Sequence, residues 1–419
     1  MASFLVGAPD LTHDGDHTVL SAPVRAEGAE MRLWFRVQAS VRPTLSADPF
    51  FATCLIPAMA LGKPMEVEGA VSPSLLRAAE PVQDIFHSWF PELTRIPIAA
   101  AAAVPKLRQH GRGVGCFFSG GVDSLYTFFK HEQAITTLVY VHGFDVKLGN
   151  HGLRKKVADA LHAFAAQTGK QVIEVETNLR DLTDPYGEWG ERVHGTALGS
   201  IALLLDGALE RIFVPSTNSF AELFPWGSHP LVDPLWSNET IEIIHDGCEA
   251  SRFEKVAAIA DDDGALSTLR VCWENRDGAY NCGRCEKCLR TMVALETLGA
   301  LEKCPTFSTP LSLETVRQFK LAGHIANLHW SSNYRAALKH ERPEIAGAVK
   351  AAIRRYGISK AAADLSGQLR DITPGSEWEG FTPRQRELVF LSLLKGNHRW
   401  LTWEIVKEDL KRILGRTRN

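Results

Sequence analysis

Between Gly113 and Leu298 the chain alternates short apolar runs with longer stretches of helical spacing. Val114–Phe118, Thr137–Val141, Val172–Val175 and Arg211–Pro215 are brief and β-rich, which predicts buried strands. Val122–His131, Arg154–Thr168 and Glu191–Leu209 read as helical candidates between them. Strands alternating with helices of this length predict an α/β fold, a parallel sheet with helices on both faces. Ligands of such sheets bind beyond the carboxyl ends of the strands. That rule places Ser119–Ser124, His142–Asp145 and Ser216–Asn218 on one rim. The Gly- and Pro-punctuated stretch 225–236, PWGSHPLVDPLW, reads as a long functional loop above it.

The flanks are patterned differently. Residues 1–110 read as an α+β module. Met31–Val37 alternates like a half-buried strand, and Leu75–Phe90 has helical spacing after a Ser-Pro-Ser cap region. Residues 301–419 read as mostly helical (Ala336–Tyr356, Arg384–Leu394, Trp403–Leu414), with a loop at Thr373–Gly380. The expected organisation is therefore an N-terminal module to residue 110, a central domain over 111–300, and a helical C-terminal region.

Two motifs in the central domain carry chemistry. In GCFFSGGVDS (115–124) an apolar strand ends in two glycines and a helix starts at once. Adjacent glycines let a ligand approach the main chain, and successive amides at a helix start form an anion-binding nest. The loop Ser119-Gly120-Gly121-Val122-Asp123-Ser124 is thus a phosphate-binding candidate. Ser119 and Ser124 offer hydroxyls, and Asp123 is suited either to hold Mg²⁺ or to brace the turn. The stretch lacks the Lys-Ser/Thr ending of a Walker A loop. The second motif is Cys282-x2-Cys285-x2-Cys288, with Cys272 ten positions earlier. Four thiolates close a tetrahedral Zn²⁺ shell and leave no open position, so the expected role is structural. An iron–sulfur cluster on the three close cysteines and three unrelated reduced cysteines are the alternatives. Cys54, Cys116, Cys248 and Cys304 read as packed apolar residues.

Lesser candidates lie on the same rim. His142 and Asp145 are placed to orient a ribose, to act as acid and base, or simply to serve the fold. Asp233 either contacts substrate or braces its loop, Trp226 and Trp236 either stack on a planar ring or plug the loop, and Glu188–Glu191 is a lid or a helix start.

Charge narrows the partners. The formal net charge is −3, yet from Thr309 onward 19 Lys/Arg face 11 Asp/Glu, and before it 27 face 38. An acidic body disfavours nucleic acid, whereas the basic C-terminal region or the N-terminal module is suited to a protein partner. No apolar run is long enough to cross a bilayer and the N-terminus has no basic leader, so a cytoplasmic location without membrane is expected. Oligomeric state stays open.

The SGGVDS loop resembles the PP-loop of the ATP pyrophosphatase superfamily. With Cys-x9-Cys-x2-Cys-x2-Cys downstream, the stretch Gly111–Gly299 resembles the 7-cyano-7-deazaguanine synthase family, QueC. The resemblance implies ATP, Mg²⁺ and Zn²⁺ as cofactors. It implies a deazaguanine-like carboxylate that is adenylated with release of pyrophosphate and then captured by ammonia or an amine. It assigns pyrophosphate to Ser119–Ser124 and zinc to Cys272, Cys282, Cys285 and Cys288, and it sets Ser216-Thr-Asn218 against a nucleotide-contacting Gly-Val-Asn. His142-Gly-Phe-Asp145 and the 225–236 loop depart from the family pattern, and both flanks are foreign to it, which points to another substrate. Two other readings compete: a PP-loop sulfurtransferase acting on an RNA base through Cys116, and an ATP-binding scaffold without turnover.

Overall fold

The structure, a computed structural model, describes residues 3–105 and 111–372. The chain opens with β1 (Phe4–Val6), β2 (Asp10–Asp14), β3 (His17–Ala26) and β4 (Ala29–Gln38). α1 (Asp48–Leu61), β5 (Met65–Val71), α2 (Pro73–Trp89) and β6 (Ile98–Ala102) follow. The alternating part runs β7 (Gly113–Phe117), α3 (Val122–Lys130), β8 (Thr137–His142), α4 (His151–Thr168) and β9 (Gln171–Thr177). It continues through α5 (Leu179–Thr183), α6 (His194–Leu204), β10 (Leu209–Pro215), β11 (Glu242–Asp246), α7 (Arg252–Ile259), α8 (Asp263–Thr268) and α9 (Glu286–Leu298).

β7 to β11 are parallel and lie in the order β11-β10-β7-β8-β9. Sequence order therefore reverses between β7 and β10, which opens a crevice at their carboxyl ends. Neighbouring residues around the end of β7 enter opposite cores: Cys116 and Phe118 pack with α3, α4 and α7, and Phe117 packs on the other face with α1 and α6. α4 shows why the pattern folds as it does. The side chain of Asn150 caps its start by accepting from the Leu153 amide at 3.2 Å, and Leu153, Val157, Leu161 and Phe164 form its buried stripe. Each such side chain contributes about 1.5–3 kcal/mol on burial.

The expected boundary near residue 110 does not separate two bodies. β4 pairs antiparallel with β9, Phe35 opposite Thr177, so the N-terminal strands continue the same sheet. The sheet has 11 strands and is mixed, where a parallel one was expected. The reason is edge satisfaction: β9 would otherwise expose unpaired backbone groups, and β4 supplies the missing ladder while burying Leu33, Phe35 and Val37. One compact unit runs through Leu311 and takes in Arg335–Arg342.

Among the described residues the second unit holds Ser312–Tyr334 and Pro343–Ile372. Its elements are α10 (Leu313–Gln318), the first part of α11 (Gly323–Lys339) and α12 (Pro343–Ile372), with Phe319 stacked on Trp330 at 5.5 Å. The helix expected over Ala336–Tyr356 is broken, because Glu341 takes φ 55° and Pro343 starts a new helix. The expected loop at Thr373–Gly380 and helices beyond it lie outside the described residues. Among the described residues no helix is long and apolar enough to cross a membrane.

Candidate functional site

The glycine turn sits at the reversal of strand order, between β7 and α3. The amides of Ser119 to Ser124 find no acceptor among the described residues, and no side chain caps the helix. Gly120 is left-handed at φ +71°, and a Cβ there would meet the Thr268 carbonyl oxygen at 2.9 Å. Its need for glycine therefore comes from the protein's own backbone as well as from any anion. The segment after α8 runs along the turn, and the Arg270 amide donates to the Gly120 carbonyl at 2.8 Å.

Positive charge collects around this turn. Arg252 donates to Asp123 Oδ1 at 2.5 Å, and Lys255 Nζ lies 3.8 Å from the same oxygen while donating to the Ser216 carbonyl at 2.6 Å. Burial pushes the Asp123 carboxyl up, but Arg252 and Lys255, with Arg290 and Lys287 further off, outweigh it and hold the group ionised. Thr217 donates to Asp123 Oδ2 at 3.2 Å. Of the two roles expected for Asp123, the geometry displays bracing, since both oxygens have protein partners. Ser124 likewise spends its hydroxyl proton on the Gly121 carbonyl, at 3.0 Å. Arg252 Nε, Arg270 Nε and Asn218 Oδ1 are buried without a hydrogen-bond partner, which leaves binding capacity on the rim.

The other predicted residues separate. Asp145 is exposed and interacts electrostatically with Lys287 and His194. His142 is buried, with Nε2 3.0 Å from Glu174, so it serves the β8–β9 pairing rather than the rim. Asp233, the substrate-contact candidate, is buried: its Oδ2 accepts from Ser228 at 2.7 Å and lies 2.7 Å from His245 Nδ1. Trp236 is a buried plug against Gly199, and Trp226 packs on Gly190. Trp189–Val193 forms one turn of π-helix, with Trp189 edge-on to Phe144 at 4.9 Å and under the Arg180 guanidinium at 4.6 Å. Cys116 is fully buried, and burial pushes its thiol up, out of the reactive range.

No protein-family model, curated protein or solved structure matches the chain. The reading of the site rests on its geometry.

The four predicted cysteines do meet. The ligand atoms of Cys272, Cys282, Cys285 and Cys288 all lie within 4.8 Å of one another, with Cys282–Cys288 and Cys272–Cys285 each at 3.9 Å. A tetrahedron of sulfurs at the usual Zn–S length of about 2.3 Å has edges of about 3.8 Å. The group therefore fits a metal such as zinc. Cys285 starts α9 as its cap, accepting from the Cys288 amide at 3.4 Å. Asn281 ties the knuckle to the glycine turn: its Oδ1 accepts from the Val271 and Cys272 amides, and its Nδ2 donates to the Leu269 carbonyl at 2.8 Å.

Sequence reasoning missed Arg252, Lys255 and Arg270, which lie over a hundred positions from the loop they serve. It also passed over β11, Glu-Ile-Ile-His-Asp, which is only five residues long. A cavity of about 290 Å³ beside Asp48, Asp206 and Glu239 lies at the amino ends of β10 and β11, away from this site.

Proposed function

We propose that the protein is an ATP-dependent ligase of the 7-cyano-7-deazaguanine synthase type, which adenylates a carboxylate and passes the acyl group to ammonia or an amine. The reading is carried by one observation: a run of amides without acceptors at the strand-order reversal, with Arg252 and Lys255 on Asp123 of the same turn and the Arg270 main chain against Gly120. This set suits the pyrophosphate that leaves when ATP is cut between its α and β phosphates. A carboxylate oxygen attacks the α-phosphorus, the new O–P bond forms, and the bridging bond to the β-phosphate breaks. The amides and guanidiniums take up the charge on the leaving group without reorganising. Asn218 Oδ1, buried without a partner, is left free to take the nucleoside, and Asp123 holds Arg252 and Lys255 in position. Mg²⁺ arrives with ATP and neutralises its phosphates. The cysteine knuckle holds zinc as a structural ion.

The test incubates the full chain with ATP, Mg²⁺, ammonium and 7-carboxy-7-deazaguanine, followed by mass spectrometry. AMP and pyrophosphate in equal amounts are expected, together with an adenylate or amide. Asp123→Ala should lower the rate at least about hundredfold. ADP and phosphate as the sole nucleotide products would end this reading.

A further inference from the structure

β11, the turn after it and the 225–236 loop bring together three residues that the adenylation chemistry leaves unused. His245 stands next to last in the strand, paired with Val214 of β10, and Cys248 follows two residues after the strand ends. Cys248 Sγ donates to Ser216 Oγ at 3.2 Å, and Ser216 is the first residue beyond β10. The Ser216 carbonyl accepts from Lys255, the lysine that also faces Asp123, so the thiol is joined to the glycine turn through Ser216 and Lys255. His245 Nδ1 is 2.7 Å from Asp233 Oδ2, in a pair almost fully shielded from water. That contact takes up Nδ1, and Nε2 is buried with no hydrogen-bond partner among the described residues. Cys248 follows His245 by three residues, and the thiol and the imidazole interact electrostatically. A carboxylate that orients a histidine, which in turn meets a thiol, is the arrangement that activates a cysteine nucleophile.

We propose that Cys248 is a nucleophile that receives the acyl group as a thioester, with His245 as its base and Asp233 as the positioning residue. The adenylate as acyl donor rests on the function proposed above; the acceptor thiol does not. The Cys248 proton passes to His245 Nε2, and sulfur attacks the acyl carbon. The C–S bond forms, and the C–O bond to phosphate breaks as AMP leaves with its electron pair. An amine nitrogen then attacks the thioester, forming C–N and breaking C–S. The imidazolium returns its proton to the departing sulfur, and the amine's proton goes to water.

The charged and polar groups facing the thiol support this. Burial pushes Cys248 up, but His245 and Ser216, with Lys255 of α7, outweigh it and bring it below an ordinary thiol; Asp123, Arg252 and Glu249 act on Lys255 in turn. Burial likewise pulls His245 down, but Asp233 and Cys248 outweigh it and lift the imidazole to about 9.

p-Nitrophenyl acetate tests the acceptor without ATP. The full chain should release about one equivalent of p-nitrophenolate in a burst. Peptide mapping should then place one hydroxylamine-labile acetyl on Cys248. The half-rate pH should lie below about 8.5, the ordinary thiol value. His245→Asn should raise that pH and slow labelling at pH 7 at least about tenfold, and Cys248→Ser should abolish the adduct. The wild-type pH profile decides the matter even if His245→Asn does not fold. An unlabelled Cys248 in the folded protein, or an ordinary half-rate pH, overturns the proposal. Should pyrophosphate never be released, the adenylation reading fails and the labelling result still stands on its own.

Discussion

Glu174, within β9, shows how a single polar residue is committed to structure. Its carboxylate takes His142 at 3.0 Å and His162 at 2.9 Å, and those contacts, led by His142, bring it down to about 2 from 4.5. The folded-state value is depressed, so the unfolded chain binds the proton first as the pH falls. Stability from this group is complete above about 4.5 and is lost between there and about 2. Glu174→Gln should therefore unfold at lower urea than the wild type at pH 6, and its midpoint should change less than the wild type's from pH 4.5 to 3. Urea titrations at these pH values check this. Asp123 and Asp233 carry the same lesson, since both are surrounded by donors. A sequence position at a strand end names a candidate, but neighbours from other elements decide whether its polar atoms are left to bind anything.

At the scale of elements, the orientation of α3 matters most, because its amino end presents the glycine turn. Asp246, the last residue of β11, accepts from Thr127 at 2.9 Å and from Lys130 at 2.8 Å, and lies 2.9 Å from His131. Burial pushes this carboxyl up, but Lys130, His131 and Thr127 outweigh it and keep it ionised. It clamps the carboxyl-terminal half of α3 to the strand that carries His245. Asp246→Asn should cost about 1.5–3 kcal/mol, the range for hydrogen bonds to a charged group. Chemical denaturation measures that loss, and an unchanged midpoint would show that α3 is held by its apolar face alone. The alternation of short runs and helical stretches made β7 to β10 and most of α3 and α4 legible. It did not show β11, five residues lodged in a loop-rich stretch, because a strand that short differs little from its surroundings in periodicity.

Across the whole molecule, the cysteine knuckle and the glycine turn form one device. The Tyr280 hydroxyl donates to the Thr268 carbonyl at 2.7 Å, Asn281 binds Leu269, Val271 and Cys272, and the Arg270 amide meets Gly120. A metal on the four cysteines would thus fix the segment that shapes the turn. Chelation, or Cys282→Ser, should lower metal content and melting temperature together and, on the function proposed above, weaken ATP binding. Elemental analysis, a melt and a titration on the same sample check this. Unchanged ATP binding in metal-free, folded protein would uncouple the two.

The sequence by itself determined the chemistry available: a glycine turn between a strand and a helix, and four thiols at ligand spacing. These are local features, set by backbone freedom and by separations of a few residues, so they survive without knowledge of the fold. Only the tertiary structure decided what surrounds them. It joined the first hundred residues to the sheet through β4, because an edge strand needs a partner. It brought Arg252, Lys255 and Arg270 to the turn, and it set Cys248 beside His245 and Asp233. Those encounters depend on strand order and on helix packing across the whole chain, which no local spacing encodes.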